Sequence, residues 1–561
     1  MQDSKFKLLV VIIFAFLSSC KIKENADLIL INGTIYTADS KNSVVQAIAV
    51  KEGKIVAAGS NINIQGLAGD QTQIIDLAGD FLMPGLIDAH AHFTSLGKSL
   101  ININLLDSKN WEEIVSLVEQ KAKETPKAEW IEGRGWHQDK WNSNTDLRFD
   151  GYPYHDLLSA VSPDHPVVLT HASGHALIAN SKAMEMANIS AETASPSGGR
   201  IVKDANNRLT GVFEENAMDL ITNALNSKTL SKEKSLQRTK NYALKAQQEA
   251  LQYGITCLQD AGADFQLLEE LHQLILDSSI KIRIEAMLFD NNDRLLKEIN
   301  RLPFPTQKPD FFNARQVKLY LDGALGSYGA WLLQAYSDNP KMLGQNTLPL
   351  TTLDSVIKAC KAKQLQLCVH AIGDRGNREV LDYIEKNQVP PQLRWRIEHA
   401  QHIDSMDIPR FAKLGVIASV QTLHCTSDAP FVIKRLGRSR GAKTSYRWRD
   451  LLNADAKIAN GTDAPVEKIN PFENLYAAVT RKRLDNGLEF FPEQKMTRIE
   501  ALRAYTIWNA YAMNREKDLG SLEFNKWADF IILDHNLLSC EDSEIPKTKV
   551  KACFIAGKKM N

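Results

Sequence analysis

The 561-residue chain predicts an α/β fold: a parallel (β/α)8 barrel, a small β-domain built from both ends, and a subdomain inserted after the first barrel strand. Three observations predict it. Eight apolar runs of strand length alternate with helix-period stretches, as in a parallel barrel whose strands are buried on both faces. Short β-rich runs split by turn dipeptides occupy the two ends of the chain. One connection, from Phe93 to Gly254, is about 160 residues long, against about 2–6 for an ordinary βα loop.

Residues 1–20 read as a targeting segment and stand outside the fold. Lys5 and Lys7 precede ten unbroken apolar residues, Leu8 to Leu17. A helix of that length spans about 15 Å, half a bilayer core of about 30 Å. A positive start, a short apolar run and small residues make a secretory signal. The ending Leu17-Ser18-Ser19-Cys20 resembles the lipobox of bacterial lipoproteins, which predicts Cys20 as the lipidated first residue of an exported, envelope-anchored protein. A plain signal peptide and a buried strand are the alternatives.

Residues 26–84 carry turns at Asn32-Gly33, Glu52-Gly53 and Gly79-Asp80 between apolar runs. These runs suggest a small β-sandwich. Similar runs at 519–534 and 548–560 predict that 26–84 and 515–560 form one composite β-domain. The barrel then occupies 85–514, with candidate strands at 85–93, 254–262, 280–288, 316–325, 365–374, 395–403, 415–422 and 457–466. Helix-period segments such as 264–279 and 374–388 separate several of them. The insert, about 98–250, holds an aromatic cluster at 130–141 and a hairpin pattern at 198–215, and is expected over the barrel mouth.

Composition narrows the function. Lys plus Arg and Asp plus Glu are both 67, a formal charge of zero. That balance gives no long-range attraction to nucleic acid or an anionic membrane surface. At 44% hydrophobic and 24% charged residues the chain is an ordinary globular mixture, which argues against disorder or many membrane spans. Seven cysteines are too few for a disulfide scaffold, and an odd count leaves at least one unpaired or modified.

Polar residues interrupt the apolar strands where a core residue would be cheaper: His90, His92, Lys318, His370, His399 and Asp463. Catalytic groups of a barrel sit at the carboxyl ends of its strands. Burying such groups costs several kcal/mol unless each finds a partner, and a divalent cation is a partner they can share. His90-Ala91-His92 has spacing two, which puts both imidazoles on one face of a strand and lets them converge on one ion. His-x-His alone is a weak signal, and each remaining histidine alone reads as a hydrogen-bonded core or surface residue. Their coincidence at six predicted strand ends points to a metal.

The segments PGLIDAHAHF, VHAIGDR, IEHAQ and NGTDAPV resemble the amidohydrolase superfamily. LTGVFEENA, VKLYLDGALGS and GSLEFNKWADFIILD resemble its YtcJ-like branch, which includes N-substituted formamide deformylases. The resemblance spans about residues 26–560 and implies a metal-dependent hydrolase with a distorted barrel and a composite β-sandwich. It implies that His90, His92, His370 and His399 are ligands. It implies that Asp463 both binds metal and takes the proton of the attacking water. Lys318 falls on the fourth strand, where many binuclear members carry a carboxylated lysine bridging two metals; an ion pair with Asp322 or a substrate carboxylate is its alternative. His175 and Glu214 match family segments of the insert, and with Asp322, His424 and Arg481 they are candidate substrate contacts. Trp136 and His137 are candidates for the cavity entrance or for the insert's core. Cys257, Cys360, Cys368, Cys425 and Cys553 read as buried apolar residues.

The expected reaction is hydrolysis of an amide, N-acyl or N-formyl C–N bond by activated water, with one or two divalent cations, zinc first. Ester or lactone hydrolysis and ring deamination on the same site are the alternatives, and an inactive lipid-anchored binding protein is a remote one. The implied partner is a small-molecule substrate. No nucleic-acid partner is implied, the membrane is reached through the lipid alone, and a homodimer is left open.

Overall fold

The structure is a computed structural model that describes residues 25–141, 148–225 and 231–560. The expected lipidation site, Cys20, lies outside the described residues. Among these residues no helix is long and apolar enough to cross a membrane.

The centre is an eight-stranded, all-parallel sheet. Its strands are β1 (Leu86–Ala91), β2 (Ile255–Ala263), β3 (Arg283–Leu288), β4 (Phe312–Tyr320), β5 (Gln366–Ala371), β6 (Arg396–His399), β7 (Ile417–Val420) and β8 (Lys457–Asn460). Each overlaps one of the apolar runs read as barrel strands, in the same order. β1, β3, β5, β6 and β7 are buried along their whole length, as parallel strands covered on both faces must be. The helices between them bury one stripe each; Asp374–Lys386 turns Val380, Leu381 and Ile384 inward, the spacing of one helix face.

The sheet is hydrogen-bonded in sequence from β1 to β8. The remaining seam closes just beyond β8. Asp463 N donates to His90 O at 2.6 Å and His92 N donates to Ala464 O at 2.7 Å. Thr462 Oγ1 donates to Asp88 Oδ2 at 2.6 Å. A Cβ on Gly461 would lie 2.5 Å from His90 N, so only glycine lets the two chains approach. The seam therefore fixes Asp463 against β1.

Strand Phe81–Pro84 pairs with Thr34–Tyr36 on one side and Phe530–Leu533 on the other, so both ends of the chain share a six-stranded sheet. A four-stranded sheet from residues 28–76 packs beside it through Leu30, Ile48, Leu82 and Phe530. The buried pair Arg283–Asp529, 2.6 and 2.9 Å, ties this region to β3.

Between β1 and β2 the chain builds a separate six-stranded sheet. Gly199–Lys203 and Leu209–Glu215 form its antiparallel hairpin, where the sequence showed one. Helix Trp111–Glu124 covers it with Trp111, Ile114 and Val118. Its strand Ile131–Trp136 delivers side chains to the barrel mouth.

Candidate metal centre and cavity

Four strand ends and one strand interior bring the six polar residues together. His90 comes from β1 and His92 just after it, Lys318 from β4, His370 from β5, His399 from the end of β6, and Asp463 follows β8. His92 Nε2 is 3.3 Å and His90 Nε2 3.6 Å from Asp463 Oδ1. His399 Nδ1 is 3.9 Å from Asp463 Oδ2. The His90 and His399 rings stand 4.8 Å apart, and those of His370 and His399 4.4 Å. Lys318 Nζ is 3.4 Å from His90 Nε2 and 4.6 Å from the Tyr320 ring.

The backbone is bent to make this cluster. His399 has φ of 74° and Asp463 of 57°. The left-handed region costs a non-glycine residue roughly 1–3 kcal/mol and persists where the surroundings enforce it, often at functional sites.

Burial holds the histidines neutral. His90 and His370 lie well below the ordinary imidazole range, chiefly by burial, and His399 is pushed down to about 3 for the same reason. Neutral imidazole is the form that binds a metal. Burial alone would raise Asp463, but the contacts of His92, His90 and His399 outweigh it and hold the carboxyl well below its usual range. Burial lowers the Lys318 ammonium.

A divalent cation fits these residues. Both ring nitrogens of His370 are buried without a hydrogen-bond partner, the nearest carboxylate oxygen being Asp322 Oδ1, 3.6 Å from Nε2. Leaving such groups unpaired costs about 1–3 kcal/mol each, and a cation supplies the missing partner. Ligand atoms of His90, His399 and Asp463 all lie within 4.8 Å of one another, a group that can hold a metal ion. Supporting contacts orient them. Glu398 Oε2 is 2.5 Å from His90 Nδ1, which leaves Nε2 facing the centre. Arg396 in turn donates to both oxygens of Glu398, at 2.6 and 2.9 Å. Gln421 holds His399 Nδ1 at 2.7 Å.

Glu398 and Arg396 were missed in the sequence reading. Two charged residues alternating with apolar ones in the run Arg396-Ile397-Glu398-His399 were the available signal.

Above the cluster lies a cavity of about 420 Å³, walled on one side by strand ends and on the other by the insert. His92, His370, His399 and Asp463 form its floor, and His424 lies on its wall with Nε2 3.7 Å from Asp463 Oδ2. His175 reaches it from the insert, its Nδ1 2.9 Å from Glu215 Oε2 and its ring 5.0 Å from that of His370. His137 is on the wall, whereas Trp136 is fully buried in the insert's core.

Three candidate contacts stand elsewhere. Glu214 faces the insert, bound by Arg200 and by the Tyr152 hydroxyl at 2.9 Å; its neighbour Glu215 reaches the cavity, because successive strand residues face opposite ways. Asp322 is off the wall and accepts the backbone N–H groups of Ile372, Gly373 and Trp331 at 2.8–2.9 Å, so it braces the loop after β5 and is not the partner of Lys318. Arg481 is wholly buried, donates to Phe490 O and Tyr446 O, and packs over Trp448. The five cysteines read as apolar are all buried.

The chain is similar to known proteins along most of its length. The family model for the Amidohydrolase family matches residues 73–559. The Protein LONG AFTER FAR-RED 3 of Arabidopsis thaliana is 33% identical, over 95% of this chain and 91% of its own. The N-substituted formamide deformylase of Arthrobacter pascens is 25% identical, over 95% and 97%. The crystal structure of a metal-dependent hydrolase of Pyrococcus furiosus superposes with a TM-score of 0.72 at 30% identity, over 91% of this chain and all of the other.

Proposed function

Because the chain belongs to the amidohydrolase family, we propose that it hydrolyses a C–N bond of amide, N-acyl or N-formyl type. His90, His92, His370, His399 and Asp463 would hold one or two divalent cations, with Lys318, once carboxylated, as a further ligand. Zinc is the first choice for a histidine-rich site with one carboxylate. The observation that carries the reading is the convergence of His90, His399 and Asp463 within 4.8 Å beside the unpartnered ring of His370 on the cavity floor. The deformylase acting on N-substituted formamides, similar along nearly the whole chain, supports the bond type.

A bound divalent cation lowers the pKa of a coordinated water and polarises a carbonyl oxygen. Asp463, held ionised by the histidines, accepts the proton of the attacking water on a carboxylate oxygen and passes it to the leaving nitrogen. His424 and His175 flank the reacting carbonyl from opposite elements and orient it by hydrogen bonding. The insert walls one side of the cavity and narrows its access to bulk water, which strengthens the polar contacts on its floor. Lys318, by adding carbon dioxide to its neutral amine and losing a proton, would replace a buried ammonium among imidazoles with an anionic carbamate.

The localisation proposal rests on the amino-terminal sequence alone: Cys20 anchors the enzyme to the cell envelope, where it meets exported or external substrates. C20A then leaves the membrane fraction; equal membrane retention contradicts the anchor.

Turnover of a panel of N-formyl, N-acetyl and longer N-acyl amines, beside matched esters and lactones, tests the bond type. The zinc-loaded enzyme is expected to release amine from at least one amide class faster than it cleaves the matched ester. Cleavage confined to esters or lactones overturns the reading.

A further inference from the structure

One charged group on the cavity wall has no ion-pair partner among the described residues, though Asp463 lies near enough to favour its charge. Arg134, from the insert strand Ile131–Trp136, lines the cavity beside His92 and Pro465. Its Nε donates to Pro465 O at 3.3 Å and its Nη2 to Ala172 O at 3.1 Å. One carbonyl belongs to the loop that carries Asp463 and the other to the insert, so the guanidinium is pinned between the two bodies that enclose the cavity. Among the described residues no carboxylate stands within ion-pair distance of it, whereas Lys140 is paired with Glu467 at 3.6 Å and His175 with Glu215 at 2.9 Å.

The acidic wall residues are also accounted for. Glu467 takes Lys140 and the Ser427 hydroxyl, and Asp428 accepts the Tyr446 hydroxyl at 2.5 Å. Asp219, on helix Met218–Leu225, is the remaining one, and it lies beyond ion-pair distance of Arg134. A guanidinium largely removed from water and unpaired is costly. Its fork, with donors still unused, matches a carboxylate in geometry and charge. Burial lowers its pKa only to about 10, so it stays charged at neutral pH.

We propose that Arg134 is the seat of a substrate carboxylate, and that the enzyme acts on amides carrying a carboxylate close to the scissile C–N bond. The proposal rests on the reading of the site as a C–N hydrolase and deepens it. Seating the carboxylate on Arg134 fixes one end of the substrate to the loop two residues beyond Asp463, so the amide falls over the floor of the cavity. The negative charge has two chemical sources: the amine half, as in N-acyl amino acids, or the acyl half, as in N-alkyl succinamates. Asp219 disfavours a second anion at its own side of the cavity.

The test compares N-formyl and N-acetyl amino acids, and N-alkyl succinamates, each with its uncharged primary amide, on zinc-loaded enzyme by turnover and by calorimetric binding. The acids of one series should exceed their amides by at least about tenfold in kcat/KM or in affinity, the scale of one charge-assisted pair. That ratio should collapse toward one in R134Q and recover in part in R134K. The wild-type ratio needs no variant, so a poorly folding R134Q leaves the test intact. A wild-type ratio near one in both series, an acid preference that survives R134Q, or neither binding nor turnover of any probe overturns the anion seat. Binding with an Arg134-dependent acid preference but no amide turnover supports the seat and overturns the C–N reading instead. Turnover of neutral amides without any acid preference does the reverse.

Discussion

The barrel rim and the insert face each other across one cavity and are built on opposite terms. On the rim, six polar residues from five of the eight strands crowd onto one point, and His399 and Asp463 sit in strained backbone to reach it. Both ring nitrogens of His370 there lack a hydrogen-bond partner, and a cation can supply one. The insert contributes groups already held by their neighbours, such as His175 by Glu215 and Arg134 by two carbonyls. The rim converges on one point that suits a divalent cation, and the insert walls the space above it. Changes on the rim should therefore alter metal and rate together, and changes in the insert should alter which substrate is used while the metal stays.

The largest expected effect is on the rim. D463N keeps the shape of the side chain but removes the proton acceptor, and should lower kcat/KM on the best amide of the panel by at least about 10³-fold, roughly 4 kcal/mol. A variant within tenfold of wild type would break the role given to Asp463. E398Q is milder: it weakens the contact that orients His90, and zinc affinity in competition with a chelator should fall about 10- to 100-fold. Unchanged affinity would make Glu398 a partner of Arg396 alone.

E215Q sharpens the other side. It loosens His175, and should raise KM or shift acyl preference by about 3- to 30-fold with metal content unchanged. Loss of metal in E215Q would erase the distinction between the two regions.

The smallest effect concerns acid stability away from the centre. His402 is buried with Nδ1 3.0 Å from the Ser445 hydroxyl, and burial pushes its pKa from 6.5 down to about 3. Below pH 6.5 the unfolded chain takes up a proton that the folded chain refuses, so this residue costs stability progressively as the pH falls toward 3. H402Q should flatten that acid limb, reducing the loss of Tm between pH 7 and pH 5 by about 2 °C, whatever its offset at neutral pH. An identical slope would mean that His402 titrates normally.

The barrel was legible because its signal is repeated. Eight buried strands must each be apolar, and the histidines, Lys318 and Asp463 stand out against that background. The metal candidates inherit this clarity, since a strand end fixes direction as well as position. The insert offers no such frame. Its strand Leu209–Glu215 ends in two adjacent glutamates, and only the pairing of Glu214 with Arg200 decides that Glu215 faces the cavity. Arg134 lies between two glycines in an aromatic stretch and shows its role only once the loop after β8 is set against it. Asp322 and Arg481 look functional in sequence because they are charged and stand near motifs, yet both are absorbed by backbone groups.

The central claim is that the strand-end cluster is a metal centre. The metal content of the purified chain, measured by plasma mass spectrometry beside H370A and R134Q, tests it most directly. Wild type and R134Q should each carry about one to two divalent ions per chain, and H370A, which loses a ligand from the floor, should retain well under half of that. An active wild-type enzyme free of metal, or an H370A variant that keeps its full complement, would contradict the claim.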